Sequence, residues 1–121
     1  MKQFDVLVEN KVGTLAEVCE IMAKHAVNIV SISTGHGLIQ FITEDESTTR
    51  DALKKSRFKF NEYDVLPVTL INRPGELAKI ARLLARANVN IDSLYILGKN
   101  NGNTELVFKV SDTKKAKEIL K

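Results

Sequence analysis

The chain states one pattern twice. "ENKVGTLAEVCEIMAKHAVNIVSI" (Glu9–Ile32) returns as "INRPGELAKIARLLARANVNIDSL" (Ile71–Leu94) at a constant offset of 62 residues. Between residues 10–32 and 72–94, 9 of 23 positions are identical. Duplication of a single unit is the expected origin, and it restricts the folds open to the chain. With 121 residues in all, each copy has a length at which a private core is marginal. The copies are therefore expected to bury surface against each other or against a second chain.

Each copy opens on alternation. Phe4, Val6 and Val8 share one face of a strand, as do Leu66, Val68 and Leu70. A bend follows, "NKVG" or "NRPG", then a helix. Leu15, Val18, Cys19 and Met22 fall at helical spacing, matched by Leu77, Ile80, Ala81 and Leu84. Thr14 with Glu17 reads as a capping box; in the second copy Glu76 instead places a negative charge in the first turn. Second strands are predicted at Asn28–Thr34 and Asn90–Leu97, glycine turns at "GHG" and "GKNNGN", and third strands at Leu38–Thr43 and Thr104–Val110. "STTRDALKKS" and "SDTKKAKEILK" read as helices that start on Ser, Thr or Asp. "KFNEYDV" (Lys59–Val65) adds a last strand to the first copy.

The order is β-α-β-β-α-β, an α+β class of two ferredoxin-like repeats with antiparallel sheets and the helices on one face. The repeats are expected at 1–65 and 66–121, the second truncated because Lys121 ends its second helix. Strand Leu66–Ile71 would then be an open edge, which fits Pro67 within it. An open edge needs a cover, so a strand from a second chain or from the first copy is expected beside it. No flexible linker separates the copies, so rigid coupling is expected.

Composition is that of an ordinary globular chain, 44% hydrophobic and 27% charged. No run is long and apolar enough for a membrane span, and "MKQFDVLVEN" alternates at once, reading as a strand and not a signal peptide. The single Cys19 cannot form an internal disulfide, which fits a reducing cytoplasm; it reads as a small buried hydrophobe. Charge is uneven: residues 1–64 hold 8 Lys/Arg against 10 Asp/Glu, and residues 65–121 hold 10 against 5. Opposite signs can help halves or chains dock. The basic tail "TKKAKEILK" reads as a solvated helix face, so nucleic acid is not an expected partner.

Signs of chemistry are missing. His25 and His36 have no partner at metal-ligand spacing, and they read as a helix-end and a loop residue. Glu44, Asp45 and Glu46 read as a helix start. No P-loop, paired strand aromatics of the RNA-binding kind or nucleophile–base pair occurs, and Phe41 and Phe108 read as core. The chain is expected to be no enzyme, with no cofactor and no metal.

The bends remain. At a helix start the backbone N–H groups are free and the dipole is positive, a place for a carboxylate. Gly13 and Gly75 lack a Cβ that would bar close approach. Asn10 and Asn72 can both donate and accept, so they can take an ammonium group. Carboxylate plus ammonium describes a free amino acid. The same residues can be purely structural, Gly for its backbone angles and Asn to close an Asx-turn. The residues alone leave both readings open.

Both copies resemble the ACT domain, the amino-acid-sensing regulatory module of metabolic enzymes, through the strand, "N-x-x-G-x-L", the helix and "V-N-I". The second copy is particularly similar to the regulatory subunit of acetolactate synthase. The resemblance covers nearly the whole chain, as a stand-alone tandem ACT protein. It implies a ligand held between two ACT units. Asn10, Val12 and Gly13, or Asn72, Pro74 and Gly75, would form the bend side. Asn28 and Ile29, or Asn90 and Ile91, would complete the pocket from a neighbouring unit. Val12 departs from the proline of "RPG" bends and loosens the first site.

The resulting expectation is a cytoplasmic regulator. It would bind a small apolar or branched-chain amino acid, form a homodimer or higher oligomer, and modulate an enzyme of amino-acid metabolism. The alternative is a ligand-free assembly module that builds a dimer and docks such an enzyme.

Overall fold

The computed structural model describes residues 1–121, which divide into two compact units, Lys2–Tyr63 and Asp64–Lys121 with Met1. In the first unit the order is β1 (Lys2–Leu7), α1 (Thr14–Lys24), β2 (Ile29–Gly35), β3 (Leu38–Thr43), α2 (Glu46–Lys55) and β4 (Lys59–Asp64). The second runs β5 (Leu66–Ile71), α3 (Glu76–Arg86), β6 (Ile91–Asn100), β7 (Asn103–Val110) and α4 (Thr113–Ile119).

The first sheet has four strands in the order β2-β3-β1-β4. The second has three, β5-β7-β6, with β5 at an edge. β1 and β2 each pair antiparallel with β3, and β5 and β6 each pair antiparallel with β7. The register puts Phe4 opposite Phe41, and Leu66 opposite Phe108. These inward residues build the cores. In the first unit Phe4, Val6, Ile39 and Phe41 meet Val18 and Met22 of α1 and Ala52 and Leu53 of α2. Phe60 of β4 adds a third aromatic ring, 6.2 Å from Phe4, which itself stacks on Phe41 at 6.0 Å. In the second unit Leu66, Leu70, Leu106, Phe108 and Val110 meet Leu84 of α3 and Ala116 of α4.

The expected strands are present, with shifted ends. β6 and β7 run further toward each other than the reading of "GKNNGN" as a turn allowed. Only Asn101 and Gly102 turn, both at positive φ (48° and 79°), as a two-residue type I′ hairpin requires. Lys99 then pairs with Thr104, and Asn100 with Asn103. His36 and Gly37 do the same in the first unit, at φ 55° and 74°.

The capping box expected from Thr14 and Glu17 does not form. Gly13 occupies the cap position in the left-handed region, φ 92°. Thr14 is already the first helical residue, and its buried hydroxyl has no partner. α2 and α4 start on aspartates: Asp45 Oδ1 accepts from Thr48 N at 3.0 Å, and Asp112 Oδ1 from Lys115 N at 3.0 Å. These bonds hold the Asp45 carboxyl below the usual carboxylate range, Thr48 N–H first among the causes. The acidic run is thus structural. Asp45 caps, Glu46 accepts from Lys2 N, and Glu44 accepts from Asn28.

Candidate functional site

The two bends share one hydrogen-bond pattern. Lys11 N donates to Glu9 O at 3.0 Å and Thr14 N to Lys11 O at 3.3 Å. Arg73 N donates to Ile71 O at 2.9 Å and Glu76 N to Arg73 O at 3.4 Å. Asn10 and Asn72 are each the middle residue of the three-residue turn that starts the bend. Gly75 then caps α3 at φ 87°, as Gly13 caps α1. A Cβ built on either glycine meets nothing within 4 Å, so the positive φ alone accounts for glycine there. The asparagines differ. Neither the Asn10 nor the Asn72 side chain makes a hydrogen bond, so neither closes an Asx-turn.

A cleft opens beside each bend, between the start of the helix and the strand that follows it. The first, about 210 Å³, is lined by Asn10 and Lys11 on one side and Leu15, Thr34, Leu38 and Ile39 on the other. The unpartnered hydroxyl of Thr14 also lies against it; a buried polar atom without a partner in a native fold calls for an explanation. The second cleft, about 280 Å³, has Asn72, Arg73, Glu76 and Lys99 as its polar side and Leu77, Leu94, Ile96 and Leu106 as its apolar wall. Leu15 and Leu77 were read as core-facing from helical spacing, yet both are 41% exposed. They project past the core into the clefts. Ile96 is 54% exposed on the edge strand β6. The sequence placed Leu15 and Leu77 in the helical stripe and in the N-x-x-G-x-L pattern, not among the site residues. The available signal was the doubled position: Leu15 and Leu77 both follow the bend glycine by two residues.

Arg73 is engaged. Its Nε donates to Glu76 Oε1 at 2.6 Å, and Lys79 Nζ donates to the same oxygen at 3.3 Å. The Arg73 hydrogen bond, seconded by Lys79, holds the Glu76 carboxyl below its ordinary range. Lys99 of the cleft has no such carboxylate.

The other expected site residues lie elsewhere. Val12 is fully exposed at the outer tip of its bend, and Pro74 is exposed at the matching position. Asn28, Ile29, Asn90 and Ile91 open β2 and β6. β2 starts opposite Thr43, at the end of β3, whereas the bend follows Leu7, opposite Leu38 at its start. The two places are thus separated by the length of a six-residue strand, about 17–20 Å. Within one unit no small ligand touches both. Asn28 also has local work: its Nδ2 donates to Glu44 Oε1 at 3.1 Å and its carbonyl accepts from Glu44 N at 3.2 Å. Asn90 N donates to Ser111 Oγ at 2.9 Å, and its Nδ2 to Asp92 Oδ1 at 2.8 Å. These bonds pin the strand openings to the segments beside them.

No group of three or more His, Cys, Asp or Glu side chains that could hold a metal ion occurs, and no helix is long and apolar enough to cross a membrane. Two α+β units, each with a glycine-capped bend beside a cleft, define a small paired-domain protein. The model of the ACT domain pair family matches residues 1–121, and the chain belongs to that family. No curated protein matches it. A crystal structure of a Bacteroides thetaiotaomicron protein is 32% identical, covers 98% of this chain and 85% of its own, and superposes with a TM-score of 0.89. The ligand-free regulatory subunit of aspartate kinase from Thermus thermophilus is 16% identical over 98% of this chain and 86% of its own, with a TM-score of 0.72. Escherichia coli aspartokinase III in complex with lysine and aspartate is 18% identical over 98% of this chain and 29% of its own, with a TM-score of 0.61. The fold is thus shared with regulatory parts of aspartate kinases.

Proposed function

We propose that the chain is a non-catalytic, cytoplasmic regulator that binds a small apolar amino acid at its bend clefts and modulates an enzyme of amino-acid metabolism. The observation that carries this reading is the pair of unbonded asparagine side chains, Asn10 and Asn72, each lining a cleft beside a helix start, the second of them mainly apolar. In the second cleft the ligand carboxylate meets the free N–H groups of α3 and the Lys99 ammonium. Its amino group meets the Asn72 amide oxygen, and its side chain lies on Leu77, Leu94 and Ile96. Arg73 gives its Nε to Glu76, and the wall of Leu77, Leu94 and Ile96 favours an apolar side chain. Asn28 and Ile29, or Asn90 and Ile91, complete the site from a neighbouring ACT unit, in keeping with the family resemblance. The solved regulatory subunits of aspartate kinase support the regulatory part of the proposal. Ligand changes the partner enzyme only through different affinity for two states of the assembly.

A thermal-shift screen against the twenty amino acids, followed by calorimetry, tests this. A ligand at about 100 times its Kd adds roughly 2.7 kcal/mol. Asn72→Ala, or Asn10→Ala, is expected to remove that shift while the fold stays intact; Gly75→Asp and Gly13→Asp put a side chain on a left-handed cap, so their ligand response is read against a lower melting baseline. If no amino acid at millimolar concentration shifts the melt, the sensing reading is wrong. The second reading, an assembly module without a ligand, then gains; the unpaired edge of β5 favours it.

A further inference from the structure

The two clefts share a frame but not a lining. At the offset of 62 residues Asn10 matches Asn72 and Leu15 matches Leu77, and all four line their clefts. Three other matched positions change. Ile71 and Ile96 of the second cleft become Glu9 and Thr34 in the first, and Glu76 becomes Thr14. Both isoleucines thus give way to polar residues, and the carboxylate to an uncharged hydroxyl. The first cleft is also the smaller, about 210 Å³ against 280 Å³. Its one lysine, Lys11, is engaged by Glu9 at 3.3 Å.

Thr14 is 8% exposed, and its hydroxyl is shut off from water without a hydrogen-bond partner in the chain. A buried hydroxyl left unpaired is destabilising. At the matching position the Glu76 carboxylate accepts from Arg73 and Lys79, so the missing partner belongs to the first repeat alone. Nor does the helix start use the hydroxyl, because Gly13 takes the cap of α1. A helical threonine has two low-energy rotamers, so this hydroxyl can turn into the cleft when a polar group arrives there.

We propose that the first cleft selects a small amino acid with a hydroxylated side chain, of the size of serine or threonine, and that Thr14 is the residue that selects it. This rests on the sensing reading and divides it: the apolar ligand belongs to the second cleft. In the first cleft the ligand's head group takes Asn10 and the free N–H groups at the start of α1. Its hydroxyl meets that of Thr14, each able to donate and to accept. An apolar ligand of the same shape leaves Thr14 unpaired and binds less well. Glu9 and Lys11 stand together with opposite signs, so they present no net charge to an ionised side chain. One chain then reads two amino acids.

Calorimetry with matched ligands tests it: L-threonine against L-valine, and L-serine against L-alanine, each on wild type and on Asn72→Ala, which silences the second cleft. On Asn72→Ala a hydroxylated ligand is expected to bind at least about tenfold more tightly than its apolar match, and Asn10→Ala is expected to abolish that binding. Thr14→Val keeps the shape of the side chain and removes only the unpaired hydroxyl. It is expected to melt no lower than wild type and to bind threonine and valine about equally. A Thr14→Val chain that keeps the preference overturns the proposal. Apolar binding that Asn72→Ala removes, with threonine and serine bound no better than valine and alanine, also overturns it but leaves the sensing reading in place. No binding of any amino acid overturns both.

Discussion

The two repeats are one design finished in two ways. The first closes its sheet with β4, which lies beside β1 and brings Phe60 onto Phe4. It also ties that strand to α2, since Arg50 donates to Glu62 through two nitrogens at 2.7 and 2.6 Å. The second has three strands, with β5 at its edge and only one aromatic ring, Phe108, in its core cluster. It makes the longer hairpin instead, and that hairpin carries Lys99 to its cleft. The bends of the two repeats are nearly interchangeable, whereas the outer helix faces have opposite charge, Glu17 and Glu20 on α1 against Lys79 and Arg82 on α3. The bend hydrogen bonds and the buried positions are set by backbone and core geometry, which both copies must satisfy. Exposed side chains carry no such constraint, and there the copies have diverged.

The sharpest way to break the comparison is through the cores. Phe41→Ala and Phe108→Ala each remove a fully buried ring from the same register position and are expected to cost about 3–5 kcal/mol in urea unfolding. If Phe108→Ala costs much less, the second core is not the equivalent of the first. Hydrogen exchange addresses the edges: amides in the middle of β1 lie between β3 and β4, whereas those of β5 that point away from β7 have no strand partner. The latter are expected to exchange at least about tenfold faster, a difference of roughly 1.4 kcal/mol. Equal protection would mean that a strand from elsewhere covers β5.

A smaller effect separates the helix ends. After α1 the chain takes a left-handed residue at Ala26, φ 55°; after α3 the same position is Asn88, φ 60°. In each case the next residue's N–H closes the helix at 2.9 Å, Val27 to Met22 O and Val89 to Leu84 O. Asparagine tolerates that conformation better than alanine. Ala26→Asn is expected to raise stability, and Asn88→Ala to lower it, each by about 1 kcal/mol, read from melting curves. The least effect is expected at Glu62. The Arg50 hydrogen bond, opposed by partial burial, lowers its folded pKa. Its contribution is therefore present above the unfolded carboxylate value of about 4.3 and lost as pH falls through the lower folded one. Glu62→Gln should melt below wild type at pH 7, with the gap closing below about pH 3; a gap that persists in acid would assign Glu62 a packing role instead.

Much of this was legible in the residues. The alternation of Phe4, Val6 and Val8, the helical spacing of Val18 and Met22, and the glycine turns all report local geometry, and each is repeated 62 residues on. The capping box was misread because Gly13, not Thr14, takes the cap, and a left-handed glycine before a helix leaves no pattern that spacing detects. Leu15 and Leu77 were misassigned because periodicity gives the face of a helix, not how far the core beneath it extends. Both lie in the first turn of their helix and line the clefts there.

The sequence by itself determined the duplication, the order of strands and helices, most of the core positions and the position of the bends, because these follow from backbone conformation and the period of apolar side chains. Only the tertiary structure decided that the Asn10 and Asn72 side chains stay unbonded, that Arg73 is held by Glu76, and that a hairpin extended by two left-handed residues carries Lys99 to its cleft. Those outcomes depend on distances between segments remote in the chain, which no local pattern encodes.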